Sequence, residues 1–289
     1  IDYDVRLNAK TTIKKELYGM LKKRTGKELP WGTLTGIRPT KIAMTRLDQG
    51  EDEKSIRSFM RDMYLTSKEK IDLSVEVAKR ERELLSHIDY ETGYSLYVGI
   101  PFCPSICSYC SFSSSPIAEW KDQVDRYLDA MIKELKATAK LMQGKPLDTV
   151  YIGGGTPTAL PVGLLERICQ KLRTDFLLEQ AENLEFTIEA NPGTVTKEYV
   201  EMFQRVGINR VSLGLQSAQS KELKALGRIH TYQDLLDSVA LLQEYGISNI
   251  NIDLMEDIPY QTLESYKDTL EKVCTLPITH ISSYSLIIE

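Results

Sequence analysis

Residues 95–110 read SLYVGIPFCPSICSYC: six residues of aromatic, β-branched and small side chains, a proline, and then three cysteines within eight residues. The first six have the composition of a strand, and Pro101 marks where the chain must leave it. Cys103-x3-Cys107-x2-Cys110 is therefore presented on a short loop at the carboxyl end of a strand. Thiolates this close in sequence suit a soft metal centre in a reducing compartment better than a disulfide framework, and the total of five cysteines is odd. Cys169 and Cys274 fall in helical stretches among apolar neighbours and read as small buried hydrophobes.

Downstream of this loop, short β-branched or aromatic runs alternate with long amphipathic stretches. Strands are predicted near 95–100, 148–152, 184–190, 209–214, 248–254 and 279–285. Between the first two, Val124, Tyr127, Leu128, Met131, Ile132, Leu135 and Met142 recur at three- and four-residue steps, as a helix packed on a sheet requires. Strands joined by helices run parallel with right-handed crossovers, giving either an open doubly wound α/β sheet or a barrel. Spacing alone does not choose. In both, the loops leaving the carboxyl ends of the strands form the active face.

Upstream, residues 1–90 read as a helical subdomain. Helices are predicted over Ala9–Arg24, from Pro39, over Asp52–Met60, and after a Thr66 cap with Ile71, Val75, Ala78 and Leu85 on one face. WGTLTGIRPTK, residues 31–41, reads as a turn-rich loop. Lys10, Lys14, Lys15, Lys22, Lys23, Arg24 and Lys27 cluster here and are read as a solvated helix face.

The 289 residues carry 41 acidic and 36 basic side chains, a net of -5, which gives no chain-wide reason to expect nucleic acid or anionic lipid as partner. No apolar run approaches the roughly 18 to 20 residues that span a bilayer, and IDYDVRLNAK has no secretory apolar block, although the chain begins without Met. A cytoplasmic monomer without a membrane partner is the expectation.

Three thiolates on a cubane with four irons leave one iron without a protein ligand, and an open coordination position is where chemistry occurs. A structural zinc site would need a fourth ligand; no second CxxC follows, and His87, His230 and His280 are the only histidines. After the second predicted strand, TVYIGGGTPTAL places three glycines at 153–155, where backbone without Cβ atoms can approach a ligand. The run matches neither GxxxxGK[ST] nor GxGxxG, so it reads as a ligand loop of another kind or as a plain tight turn.

With CxxxCxxC after the first strand of a βα series, the chain resembles the radical S-adenosylmethionine (SAM) superfamily. LYVGIPFC, GGGTPT, IEANPGT, RVSLGLQS, LGRIHT and NIDLMEDIPYQT are similar, in this order, to the oxygen-independent coproporphyrinogen III oxidase (dehydrogenase) family. WGTLTGIRPTK and its helices look like the HemZ branch of it. The resemblance implies a partial (βα)6 TIM-like barrel over 91–289 after the helical 1–90 subdomain, a 4Fe–4S cluster on Cys103, Cys107 and Cys110, and SAM as cofactor. It implies SAM contacts at Tyr97, Tyr109, Gly154, Gly155, Thr156, Glu189, Gln216, Arg228, Asp253 and Ile287. The implied reaction is oxidative decarboxylation of coproporphyrinogen III propionates to vinyl groups, giving protoporphyrinogen IX, with flavodoxin or ferredoxin as electron donor. The carboxyl-terminal domain with which relatives cover the substrate is expected to lie outside these residues.

Glu189 and Asp253 each close an apolar strand, where a carboxylate can accept ribose hydroxyls or cap the next helix. Arg228 can meet a carboxylate of SAM or of a propionate, or form a surface ion pair. The chain departs from the family pattern in three places. Phe112 stands where the best-characterised dehydrogenases carry a further cysteine, Gly99 where a histidine is usual, and Asp257 where a glycine is common. Phe112 keeps a second reading open, since a sister branch sharing CxxxCxxCxF contains haem chaperones that bind and transfer haem without porphyrinogen turnover.

Overall fold

The computed structural model describes residues 6–35, 38–88, 91–181 and 183–287. The chain forms two compact units that divide after Ile88.

The first unit contains α1 (Arg6–Thr25), α2 (Thr40–Asp48), α3 (Glu53–Tyr64) and α4 (Lys68–Leu85). Ala43, Leu47, Ile56, Met60, Ile71, Val75 and Ala78 recur three, four or seven apart within α2, α3 and α4 and form one core. Asp52 caps α3 by accepting the Ser55 N–H at 2.8 Å. The cap of α4 is Ser67 rather than Thr66: with Lys68 as the first helical residue, the third N–H belongs to Lys70, and Ser67 Oγ accepts it. Lys14 donates to Thr35 and Lys15 to the Asp62 carbonyl, so part of the basic run serves this unit's own contacts. Gly36 and Ile37 of the WGTLTGIRPTK stretch lie outside the described residues.

The second unit is built on β1 (Tyr94–Ile100), β2 (Leu147–Gly154), β3 (Glu185–Ala190), β4 (Arg210–Gln216), β5 (Asn249–Glu256) and β6 (His280–Ser285). All neighbours are parallel, and their order across the sheet is their order in the chain. This decides between the two architectures. A doubly wound sheet reverses direction part-way, whereas consecutive order is the winding of a barrel. Among the described residues β1 and β6 each pair with one strand only, so the barrel is partial. All six strands lie where expected, although β2, β4 and β5 run two residues further than the sequence indicated.

The connections hold α5 (Val124–Leu141), α6 (Val162–Asp175), α7 (Lys197–Val206), the short α8 (Ser220–Ala225), α9 (Tyr232–Glu244) and α10 (Leu263–Cys274). Alternate strand residues such as Val98, Ile100, Val150, Ile152, Phe186 and Ile188 share one buried core with Leu128, Leu165, Leu172 and Phe203 from the helices. Tyr97, Tyr151, Glu189, Ser212, Asn251 and Asp253 have the opposite parity. The inner face of the barrel is thus polar where a closed barrel would be filled with branched apolar side chains.

Cys169 is fully buried, and burial pushes its thiol up to about 12. Cys274 departs from expectation and is exposed. It ends α10, where Val273 takes the buried face and one residue further is about 100° round the helix.

His230 is 4% exposed, and its Nε2 donates to the Leu215 carbonyl at 3.1 Å. Burial pushes this histidine down from 6.5 to about 4. Between those values the unfolded chain takes a proton that the folded one refuses, so stability is full above pH 6.5 and falls as pH drops towards 4. The loss approaches roughly 3 kcal/mol. Urea unfolding followed across this range should show that slope, and H230Q should flatten it.

Candidate active site

The carboxyl ends of the strands open on one cavity of about 290 Å3. Cys103, Cys107, Tyr109, Cys110, Gly154, Gly155, Thr156, Glu189, Gln216, Arg228 and Asp253 all line it. The cysteine loop is held from two sides. Near Cys103, Phe102–Cys103 forms a short parallel ladder with Ser115–Pro116, and the glycine loop closes over it: Gly155 N–H donates to Ile100 and Thr156 N–H to Phe102, each at 2.7 Å. Near Cys107 and Cys110, the Ser108 N–H donates to the Leu226 carbonyl at 3.1 Å, and Arg228 donates to the Tyr109 hydroxyl at 2.7 Å.

Gly155 is required by proximity. A Cβ there would stand 2.6 Å from the Phe102 carbonyl oxygen, 2.9 Å from that of Ile100 and 3.0 Å from Cys103 Sγ. Gly154 adopts φ +107, a conformation open to glycine. The three-glycine run is therefore a close-approach loop and not a plain turn.

Thr156 Oγ1 lies 3.6 Å from Cys103 Sγ. Burial raises the Cys107 thiol, and the neighbouring Arg228 guanidinium opposes this by favouring thiolate. Among the described residues no three His, Cys, Asp or Glu side chains converge as a single ion would need. Three thiols that line one cavity and act on one another electrostatically suit a polynuclear cluster, in which each thiolate binds a separate iron.

Neither strand-end acid caps a helix. Glu189 accepts the Tyr151 hydroxyl at 2.6 Å and the Gly154 N–H at 3.1 Å, and burial raises it above the usual carboxylate range against the pull of those donors. Asp253 accepts Ser212 Oγ at 3.1 Å and Asn251 Nδ2 at 2.9 Å. The neighbouring turns use Asn191 and Thr262 as caps instead. Gln216 sits at φ +70 beside a bulge in the β4–β5 pairing, which turns the chain from the sheet towards α8. Arg228 belongs to no ion pair among the described residues, and its buried ε N–H has no partner. The surface-pair reading of Arg228 therefore fails.

Two expected residues stand apart from the cavity lining. Tyr97 stacks its ring on Tyr151, with centroids 5.9 Å apart, and its hydroxyl reaches towards Gly154 beside the cavity. Ile287 is 80% exposed, because β6 ends at Ser285 and the chain leaves the sheet before it. Conversely, Tyr151, Ser212 and Asn251, which hold the two acids, escaped sequence reasoning. Their one signal is a polar residue two positions before Gly153, Gly214 or Asp253 on the same strand face. Asp257 adopts φ +63, which accounts for a glycine being common there.

The model of the radical SAM superfamily matches residues 97–273, spanning the cysteine loop, the glycine loop and both acids. The chain belongs to the radical SAM superfamily. The oxygen-independent coproporphyrinogen-III oxidase-like protein HemZ of Bacillus subtilis is 30% identical over 91% of this chain and 53% of its own length. The heme chaperone HemW of Lactococcus lactis is 39% identical over 68% of this chain and 49% of its own length. In three dimensions the chain resembles coproporphyrinogen III oxidase (HemN) from Escherichia coli, with TM-score 0.62 and 29% identity over 71% of this chain and 47% of that one. The chain thus spans about half the length of the curated relatives it matches, and it is a radical SAM protein of the HemN, HemZ and HemW group. The family's cofactors are a 4Fe–4S cluster and SAM. The residues fit them: three thiols on one cavity, a guanidinium without an ion pair among the described residues, and a glycine loop pressed against Cys103.

G155A should displace the cysteine loop by pushing on two carbonyls at once. After anaerobic reconstitution we expect bound iron to fall several-fold while far-UV circular dichroism is unchanged. Full iron uptake would show that the loop tolerates the side chain.

Proposed function

We propose that this protein is an oxygen-independent porphyrinogen-decarboxylating enzyme, converting coproporphyrinogen III propionates to vinyl groups. The observation that carries this reading is Arg228: an unpaired guanidinium in the same cavity as the three thiols, able to receive a carboxylate. The mouth adds large apolar side chains facing solvent, Phe112, Ile229 and Tyr284, exposed to 68%, 71% and 57%. A polar cavity with an apolar rim suits a flat tetrapyrrole bearing carboxylates.

Cys103, Cys107 and Cys110 would ligate the cluster and leave one iron for SAM. When bound, the reduced cluster supplies the electron that splits SAM into methionine and a hydrogen-abstracting 5′-deoxyadenosyl radical. The chain's own residues bind and orient. Tyr109, Gly154, Gly155, Thr156 and Gln216 line the approach, Glu189 and Asp253 offer acceptors for ribose hydroxyls, and Arg228 fixes a carboxylate. Tyr97 supports this floor through Tyr151. Per propionate the substrate would give up one hydrogen atom to the 5′-deoxyadenosyl radical, CO2, and one electron to an external one-electron acceptor, which balances a vinyl product. The setting is cytoplasmic, with flavodoxin or ferredoxin as electron donor.

Phe112 supports a second reading, a haem-binding chaperone, since it faces the cavity two positions after Cys110 and HemW relatives align over the same core. The two separate in one experiment. Anaerobic incubation of the full-length, reconstituted protein with SAM, reductant and coproporphyrinogen III should yield protoporphyrinogen IX. Tight haem binding and transfer to an acceptor, with no loss of coproporphyrinogen, would favour the chaperone instead.

A further inference from the structure

Glu222 is 2% exposed, in α8, and belongs to no ion pair among the described residues. Its carboxylate is satisfied by neutral donors from two other loops. Ser217 Oγ, in the turn leaving β4, donates at 2.6 Å; Ser265 Oγ, in the first turn of α10, donates at 2.6 Å; and Gln261 Nε2, in the loop leaving β5, donates at 3.2 Å. Gln261 also donates to the Met255 carbonyl, and Gln219 and Ala218 tie the start of α8 to Asp268 and Thr269 of α10. A carboxylate buried without a cation costs desolvation that an apolar side chain would avoid. What it does here is lock α8 to the loop after β5.

The other end of α8 holds the cysteine loop. Ser108 Oγ donates to the Ala225 carbonyl at 3.2 Å, and its N–H donates to Leu226. Tyr109 packs on the small cluster of Leu226, Met255 and Ile258 and accepts from Arg228. Cys103 is anchored elsewhere, on Phe102 and the glycine loop. The Cys107–Cys110 end of the loop is thus held by α8 and the Cys103 end by the glycine loop.

We infer that Glu222 is a positioning residue for the cluster, acting through α8 on Cys107 and Cys110; the inference rests on reading the three cysteines as cluster ligands. Groups that hydrogen-bond to metal ligands typically contribute about 10- to 100-fold in metal affinity, and a support one step further out contributes less. Iron release to a chelator from the anaerobically reconstituted full chain measures it. E222L should release iron several-fold faster than wild type, and E222Q, which keeps one acceptor oxygen, should fall between them. V273A, a cavity in the same α10 away from the cysteine loop, serves as control for lost stability alone, with Tm measured on all variants. Release that tracks Tm equally in E222L and V273A would overturn the inference by making Glu222 a merely structural group, and so would unchanged release in a folded E222L. Should E222L fail to fold, E222Q carries the comparison alone. A wild type that takes up no cluster would instead overturn the ligand reading.

Discussion

The carbonyls of Ile100 and Phe102 each accept a backbone N–H from the glycine loop, and the active face is arranged around that seam. It exists because β1 and β2 run parallel with Ile100 beside Gly154, so the chain leaving one strand for the cysteines passes along the chain leaving the other. Each bond contributes about 1 kcal/mol net, and leaving a buried carbonyl without its partner costs more. A side chain at residue 155 would strain both bonds and press on Cys103, which is why bare backbone stands there.

The polar inner face of the barrel is bearable for a related reason. Tyr151 and the Gly154 N–H donate to Glu189, while Ser212 and Asn251 donate to Asp253, so both half-buried carboxylates have donors from the protein itself. Arg228 is the exception, with donors to spare. Two held carboxylates and a guanidinium without an ion pair among the described residues thus line one cavity.

Much of this was legible in the sequence. The strands showed themselves because their helix-facing residues are apolar at every second position, and the cysteines because no common structural element needs three within eight residues. The barrel was not legible, because strand spacing carries no information about lateral order. Tyr151, Ser212 and Asn251 were hidden because a polar residue in a strand reads the same whether it faces solvent or a cavity. Thr66 and Ser67 are both good caps, and only the position of the Lys70 N–H separates them. Cys274 was misplaced because helical periodicity stops discriminating at a final residue. Ile287 followed from resemblance alone, at a point where the chain has already left the sheet.

We propose that the three thiolates leave one iron open to SAM. Electron paramagnetic resonance of the reduced, reconstituted protein tests it directly. The expected result is a 4Fe–4S signal whose g values shift when SAM is added and which is lost in C110A. A spectrum that saturating SAM leaves unchanged would contradict it.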